Sequence, residues 1–297
     1  MSEQPSLLTD GMNSLRRMLP RRFRGDIPVV PVVRLSGVIG FSTPLRPGLT
    51  LSSCAKALDR AFARPRAKAV ALAINSPGGS AVQSHMIFKR IRQLAEEKAI
   101  PVIAFVEDVG ASGGYMIACA ADEIIVDETS IVGSIGVVGG SFGFHKLLDK
   151  IGVERRLYTA GDHKAMLDPF LPENQSDVER LKAIQREIHD AFIALVKARR
   201  GPALQLGNDD LFSGAYWTGR KAVELGLADR VGDLRSVLRA RFGDKVDIPL
   251  ITGPKNFFGR STPGIGSALF GRSEGLSFAD DLVSAVETRA IWARFGL

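Results

Sequence analysis

The feature that most constrains this chain is a strand, a glycine turn and a helix, met twice. Ala67 to Ile74 is a continuous apolar run and ends in Asn75-Ser76-Pro77-Gly78-Gly79-Ser80. A helix follows to about Lys98, with Met86, Ile87, Ile91 and Leu94 as its inner stripe. Pro101 to Val106 is a second buried run, followed by the turn Val109-Gly110-Ala111-Ser112-Gly113-Gly114-Tyr115 and an apolar helix to Ala121. Runs without polar alternation predict strands covered on both faces. Strand, tight turn, helix and strand in that order predict right-handed βαβ units around a mostly parallel sheet. Such sheets bind ligands at the carboxyl ends of their strands, where both glycine turns fall.

The rest of the chain extends this pattern. Ile27 to Gly40 reads as a first buried strand, Ser52 to Ala63 as a helix and Glu123 to Val126 as a short strand. Phe144 to Ile151 reads as a helix, Arg155 to Tyr158 as a strand and Thr159 to Asn174 as a loop. Ser176 to Arg200 is a long amphipathic helix, with Ser176 and Glu179 as a capping box and Gly201 as its stop. Thr218 to Phe242 reads as helix, strand and helix. Three segments follow: a basic arm over 1–26, a main domain over 27–250, and a Gly-rich linker with a final helix over 251–297.

Composition excludes several classes. With 45% apolar and 24% charged residues the chain is neither disordered nor fibrous. Two cysteines, Cys54 and Cys119, make no disulfide framework and no zinc motif. Cys119 lies in an apolar run and reads as a small buried hydrophobe. No stretch reads as a membrane span, and the N-terminus lacks the apolar core of a signal peptide, which predicts a cytoplasmic chain. The net charge of +7 is scattered, without a nucleic-acid motif. Arg16, Arg17, Arg21, Arg22 and Arg24 concentrate in the arm. It reads as a solvated arm, with a lipid-touching amphipathic element as the alternative.

Ser112 is the first candidate for chemistry. It follows a buried strand and opens a helix between glycines, which lifts its hydroxyl above the sheet edge beside unpaired N–H groups. The alternative is a plain helix cap. The Ser76–Gly79 turn offers either a phosphate cradle or an oxyanion donor, but no Lys-Ser/Thr pair follows as in a P-loop. None of His85, His145, His163 and His189 stands in a recognisable triad pattern, and His189 reads as exposed on the long helix. Lys164 stands in the 161–170 loop. A lysine acts as a base only when its neutral form is populated, and residue reasoning alone does not select it.

Five ordered motifs carry a resemblance. They are Asn75-Ser76-Pro77-Gly78-Gly79, Gly110-Ala111-Ser112-Gly113-Gly114-Tyr115, Gly133-Ser134-Ile135-Gly136, Lys164 before Pro169-Phe170, and Trp217 to Ala222 with Gly226-Leu227-Ala228-Asp229. Over about residues 30 to 240 the chain resembles the signal peptide peptidase A family, peptidase family S49, whose members use a Ser/Lys dyad. The resemblance implies an α/β fold, a ClpP/crotonase-like spiral of βαβ units, here with a C-terminal helical extension. It implies Ser112 as nucleophile, Lys164 as general base, Ser134 as the residue positioning the lysine, and Gly79 and Gly113 as the oxyanion hole. It implies a serine endopeptidase without metal or cofactor, acting on signal-peptide remnants or other unfolded, membrane-released peptides. It also implies a homo-oligomer whose sites are shared between subunits. Many family members carry an N-terminal membrane anchor that is not seen here, and the basic arm is the candidate for peripheral contact at the inner face of the membrane. Two rivals use the same fold: an acyl-CoA hydratase or isomerase, and a non-catalytic scaffold for membrane proteins.

Overall fold

A computed structural model describes residues 27–40, 48–205, 207, 209–252 and 289–297. The expected basic arm, most of the Gly-rich linker and the first part of the final helix lie outside the described residues. The sheet is built from β1 (Val32–Ser36), β2 (Val70–Ser76), β3 (Val102–Ala111), β4 (Glu123–Val126), β5 (Ile131–Gly133), β6 (Tyr216–Thr218) and β7 (Arg230–Val231). Its order is β1-β2-β3-β4-β7, all parallel, while β5 pairs with β3 and β6. Only the β5–β6 pair is antiparallel.

Alternation along the strands divides the core in two. Val70, Leu72 and Ile74 of β2, with Val102, Ala104 and Val106 of β3, face one cluster. Helices α1 (Leu51–Phe62), α2 (Ala81–Lys98) and α3 (Gly113–Ala118) bring Leu58, Ile91 and Ile117 to that side. Ala71, Ala73, Ile103 and Phe105 face the other side, where α7 (Leu234–Phe242) packs Val237 and Leu238. Both faces are covered, so the central strands carry no polar alternation. The α/β architecture expected from the sequence is the one observed.

Four local expectations are corrected. β3 does not end at Val106: it runs to Ala111, pairing Ile103–Val106 with β4 and Val109–Ala111 with β5. The acidic pair Glu107-Asp108 interrupts the apolar run but not the strand. The first strand is shorter than Ile27 to Gly40, with Val29 and Ile39 making only isolated bridges. Arg155 to Tyr158 is no strand; all four residues are exposed and no neighbouring strand pairs with them. The long helix α5 (Gln175–Arg200) is capped by Asn174, whose side chain accepts from the Ser176 N–H, rather than by a Ser176 box. Its stop at Gly201 is as expected. Other described helices are α4 (His145–Ile151), α6 (Gly219–Glu224), two 3-10 turns at Gly201–Ala203 and Asp209–Phe212, and a helical segment over 289–293.

Candidate active site

Ser112 joins the end of β3 to the start of α3. Its backbone sits at φ 52° and ψ −120°, a region a residue with a Cβ rarely enters. Both sides hold it there: its N–H donates to the Gly133 carbonyl at 2.8 Å, and its carbonyl accepts from the Met116 N–H at 2.9 Å. The side chain makes no capping bond. The plain-cap alternative therefore fails, and the hydroxyl is left for other work.

The first glycine turn abuts this point, since a Cβ built on Gly78 would lie 2.8 Å from the Ser112 Cβ. Ile39 bridges the turn in parallel fashion. The Ile39 N–H donates to Gly78 O and the Ser80 N–H donates to Ile39 O, both at 2.8 Å. The Gly78 N–H donates to Ser76 Oγ at 3.2 Å. The amides on either side of Gly79 are thus engaged, while its own N–H, turned away from the bridge, has no partner among the described residues. Gly79 is irreplaceable here: its φ is 140°, and a Cβ would collide with the Ile39 carbonyl oxygen. The Gly113 N–H opens α3 and is unpaired in the same way.

Ser134 follows β5 at φ 53° and is 8% exposed. Its N–H donates to the Ala215 carbonyl at 2.6 Å. Ser112, Gly79, Gly113 and Ser134 all line one cavity of about 720 Å³. Four of the five residues singled out in the sequence are therefore together. Lys164 is not among them. It lies exposed on the turn over 161–167, and within this chain it does not line the cavity.

Other residues at the cavity escaped the sequence reading. Ile188, His189 and Phe192 reach it from α5. His189 is half-buried rather than exposed, and its position three residues before Phe192, on the apolar face, is the signal that could have found it. Ile291, Arg294 and Phe295 reach the cavity from the C-terminal segment. That segment is held by Tyr216, whose hydroxyl donates to the Arg294 carbonyl at 3.1 Å and whose ring meets Phe295 edge-on at 5.2 Å. Among the described residues no cluster of His, Cys, Asp and Glu could hold a metal ion.

The far end of α3 is anchored by α5. Arg199 donates to the Cys119 and Ala121 carbonyls at 2.8 and 2.9 Å, placing positive charge at the carbonyl end of the helix. Arg200 grips Asp229 through two N–H···O bonds of 3.0 and 2.8 Å and donates to Gly226 O. Asp229 also accepts from the Ile124 N–H. The Gly226–Asp229 motif is thus a clamp between α5 and the sheet.

Comparison with known proteins follows this geometry. A family model described as peptidase family S49 matches residues 94–245, and one described as a ClpP-like SDH-type serine proteinase matches residues 6–150. A Brucella abortus (strain 2308) protein named Na(+)/H(+) antiporter NhaA is 56% identical over 289 residues, covering 95% of this chain and 39% of that protein. The chain thus spans well under half the length of that relative. A Synechocystis sp. protein named as a protease is 35% identical over 205 residues, with 66% of this chain and 72% of that protein covered. The Arabidopsis thaliana chloroplastic serine protease SPPA is 34% identical over 217 residues, with 69% and 31% covered. The serine at a strained strand-to-helix turn, the two free amides beside it and these matches agree: the chain belongs to peptidase family S49, a family of serine-type peptidases.

Proposed function

We propose that the chain is a serine endopeptidase that attacks peptide carbonyls with Ser112 and completes its site with Lys164 from a second copy. One observation carries the reading. Ser112, with no side-chain capping bond, shares with the unpaired amides of Gly79 and Gly113 the wall of a cavity that no lysine among the described residues lines. The nearby segment over 137–171 exposes large apolar side chains, Val138, Phe142, Ile151 and Tyr158 among them, and carries Lys164. Large apolar side chains exposed together along one segment mark a candidate partner surface. A second copy docked there would cover it and strip water from the lysine, which favours the neutral amine.

The chemistry then runs in two halves. Neutral Lys164 takes the Ser112 proton as the hydroxyl oxygen attacks the carbonyl carbon. The Gly79 and Gly113 amides hold the oxyanion, and the ammonium returns the proton to the leaving amine. Water, deprotonated by the same lysine, then hydrolyses the acyl-enzyme. Ser134 orients the lysine. No Asp or Glu is among the described residues lining the cavity, which counts against an enolate chemistry needing a carboxylate base.

Substrate and place belong to the same proposal. A partly enclosed site suits extended peptides released from membranes or unfolded proteins. None of the described helices is long and apolar enough to cross a bilayer. The Brucella relative is named a Na(+)/H(+) antiporter, which supports work at a membrane.

The test is hydrolysis of a quenched fluorescent peptide library by the wild type, Ser112→Ala and Lys164→Ala, with fluorophosphonate labelling of Ser112 alongside. Wild type should cleave and label, and each variant should lose about 10³-fold or more in turnover. Equal cleavage by all three would remove Ser112 from the chemistry. Acyl-CoA turnover by the wild type without peptide cleavage would favour the hydratase reading.

A further inference from the structure

His189 and Arg294 are the only ionisable side chains among the described residues that line the Ser112 cavity. The His189 Nε2 lies 3.0 Å from the Ile135 carbonyl oxygen. A carbonyl oxygen only accepts, so Nε2 carries the proton and donates. A nitrogen already protonated and aimed at a carbonyl takes no proton from a serine. His189 is therefore not the base through that atom.

What it holds is informative. Ile135 follows Ser134, whose backbone is turned to φ 53° directly after Gly133 at 112°. That turn is fixed by the Ser134 N–H on Ala215 O at 2.6 Å and by the Gly136 N–H on Ser134 O at 3.0 Å. Both are backbone bonds, and the first already ties the turn to Ala215, just before β6. The bond from His189 differs in coming from a side chain, and it adds a tie from the turn to α5. α5 in turn is locked to the rest of the site through Arg199 and Arg200 at its other end.

We propose that His189 is a positioning residue for the Ser112 site: it pins the Ile135 carbonyl to α5 and so fixes where the Ser134 hydroxyl meets the incoming lysine. The inference rests on the peptidase reading above and on Ser134 orienting the base. It requires that the effect of His189 pass through Ser134.

The test compares wild type, His189→Ala, His189→Gln, Ser134→Ala and the His189→Ala/Ser134→Ala double variant as the assembled full chain. Readouts are peptide turnover, the rate of fluorophosphonate labelling, the melting temperature and hydrogen exchange at the Gly136 amide. His189→Ala should lower kcat about tenfold with KM within about twofold. His189→Gln keeps an N–H donor at similar reach and should recover most of the lost rate. In the Ser134→Ala background His189→Ala should cost less than about twofold more, because both act through one group. Exchange at Gly136 should rise in His189→Ala and not in His189→Gln.

Unchanged kcat in His189→Ala, or effects that multiply in the double variant, would overturn the proposal. Unchanged Gly136 exchange in His189→Ala would overturn the pin itself. A wild type that neither cleaves nor labels would sink the peptidase reading, and the positioning role of His189 with it. Losses in His189→Ala and His189→Gln that merely follow a fall in melting temperature would make the residue structural only.

Discussion

The central sheet and the segment over 137–171 are both rich in large apolar side chains, and they treat them in opposite ways. In the sheet, Leu72, Ile103 and Ile124 are at most 1% exposed, sealed between helices of the same chain. In the segment, Val138 is 73% exposed, Phe142 79% and Tyr158 89%, and α4 buries none of its residues. The first region satisfies itself. The second has the composition of a core and the exposure of a surface. The two residues proposed for bond cleavage are split between them, Ser112 in the first and Lys164 in the second. On that proposal one region is a finished fold and the other is half of an interface.

The largest effect that bears on this contrast is complementation. Ser112→Ala and Lys164→Ala subunits, each inactive, should regain activity when unfolded together and reassembled. Random mixing around a head-to-tail ring leaves about a quarter of the sites with both residues intact. No recovery in mixed assemblies verified by mass would place the pair within one chain and break the contrast. Next is Ile103→Ala, between the sheet and α7. It should cost about 2–5 kcal/mol in urea unfolding, with an unchanged slope. A cost under about 1 kcal/mol would mean that the sheet too leans on a partner.

A smaller change in stability is expected from Ile151→Glu with Tyr158→Glu. Both side chains are exposed within one chain, so the shift should stay within about 0.5 kcal/mol per site. Light scattering should nonetheless show a lower mass, and turnover should fall with it. Full-sized assemblies of this variant would remove the segment from the interface. The smallest effect is chemical. Burial pushes the Cys54 thiol up to about 11 and the Cys119 thiol up to about 12. Both stay mostly protonated in the native protein from pH 7 to 9, so their reaction with a thiol reagent should remain slow throughout that window, even though the small thiolate fraction grows about tenfold per pH unit. A Tyr158→Cys thiol should react fast, and faster with rising pH.

Legibility in the sequence follows the same divide. The βαβ order could be read because a strand buried on both faces leaves an unbroken apolar run, as Ala67 to Ile74 does. Ser112 could be read because glycines flank it at the end of such a run. Its φ could not, because that angle is imposed by Gly133 and Met116, partners on either side of a turn. The strand expected at Arg155 to Tyr158 fails because no strand among the described residues pairs with it, and the helix expected at Phe144 to Ile151 forms as α4 but buries none of its residues. His189 escaped because a half-buried polar residue beside an apolar stripe gains meaning only when the helix docks. Lys164 came from the resemblance alone, and its distance from the cavity in one chain shows why residue reasoning could not reach it.

The change of partner midway along β3 has a consequence for how such a chain tolerates changes of length. Val106 is the last residue in register with β4, and Val109 the first in register with β5. Side chains alternate along a strand, so gaining or losing one residue between them would turn everything downstream to the opposite face, Ser112 included. The stretch from Glu107 to Ala111, across which the pairing with β2 shifts register, is therefore constrained in length. The stretch over 137–143 lies in no strand or helix and is mostly exposed, so it answers to no such parity.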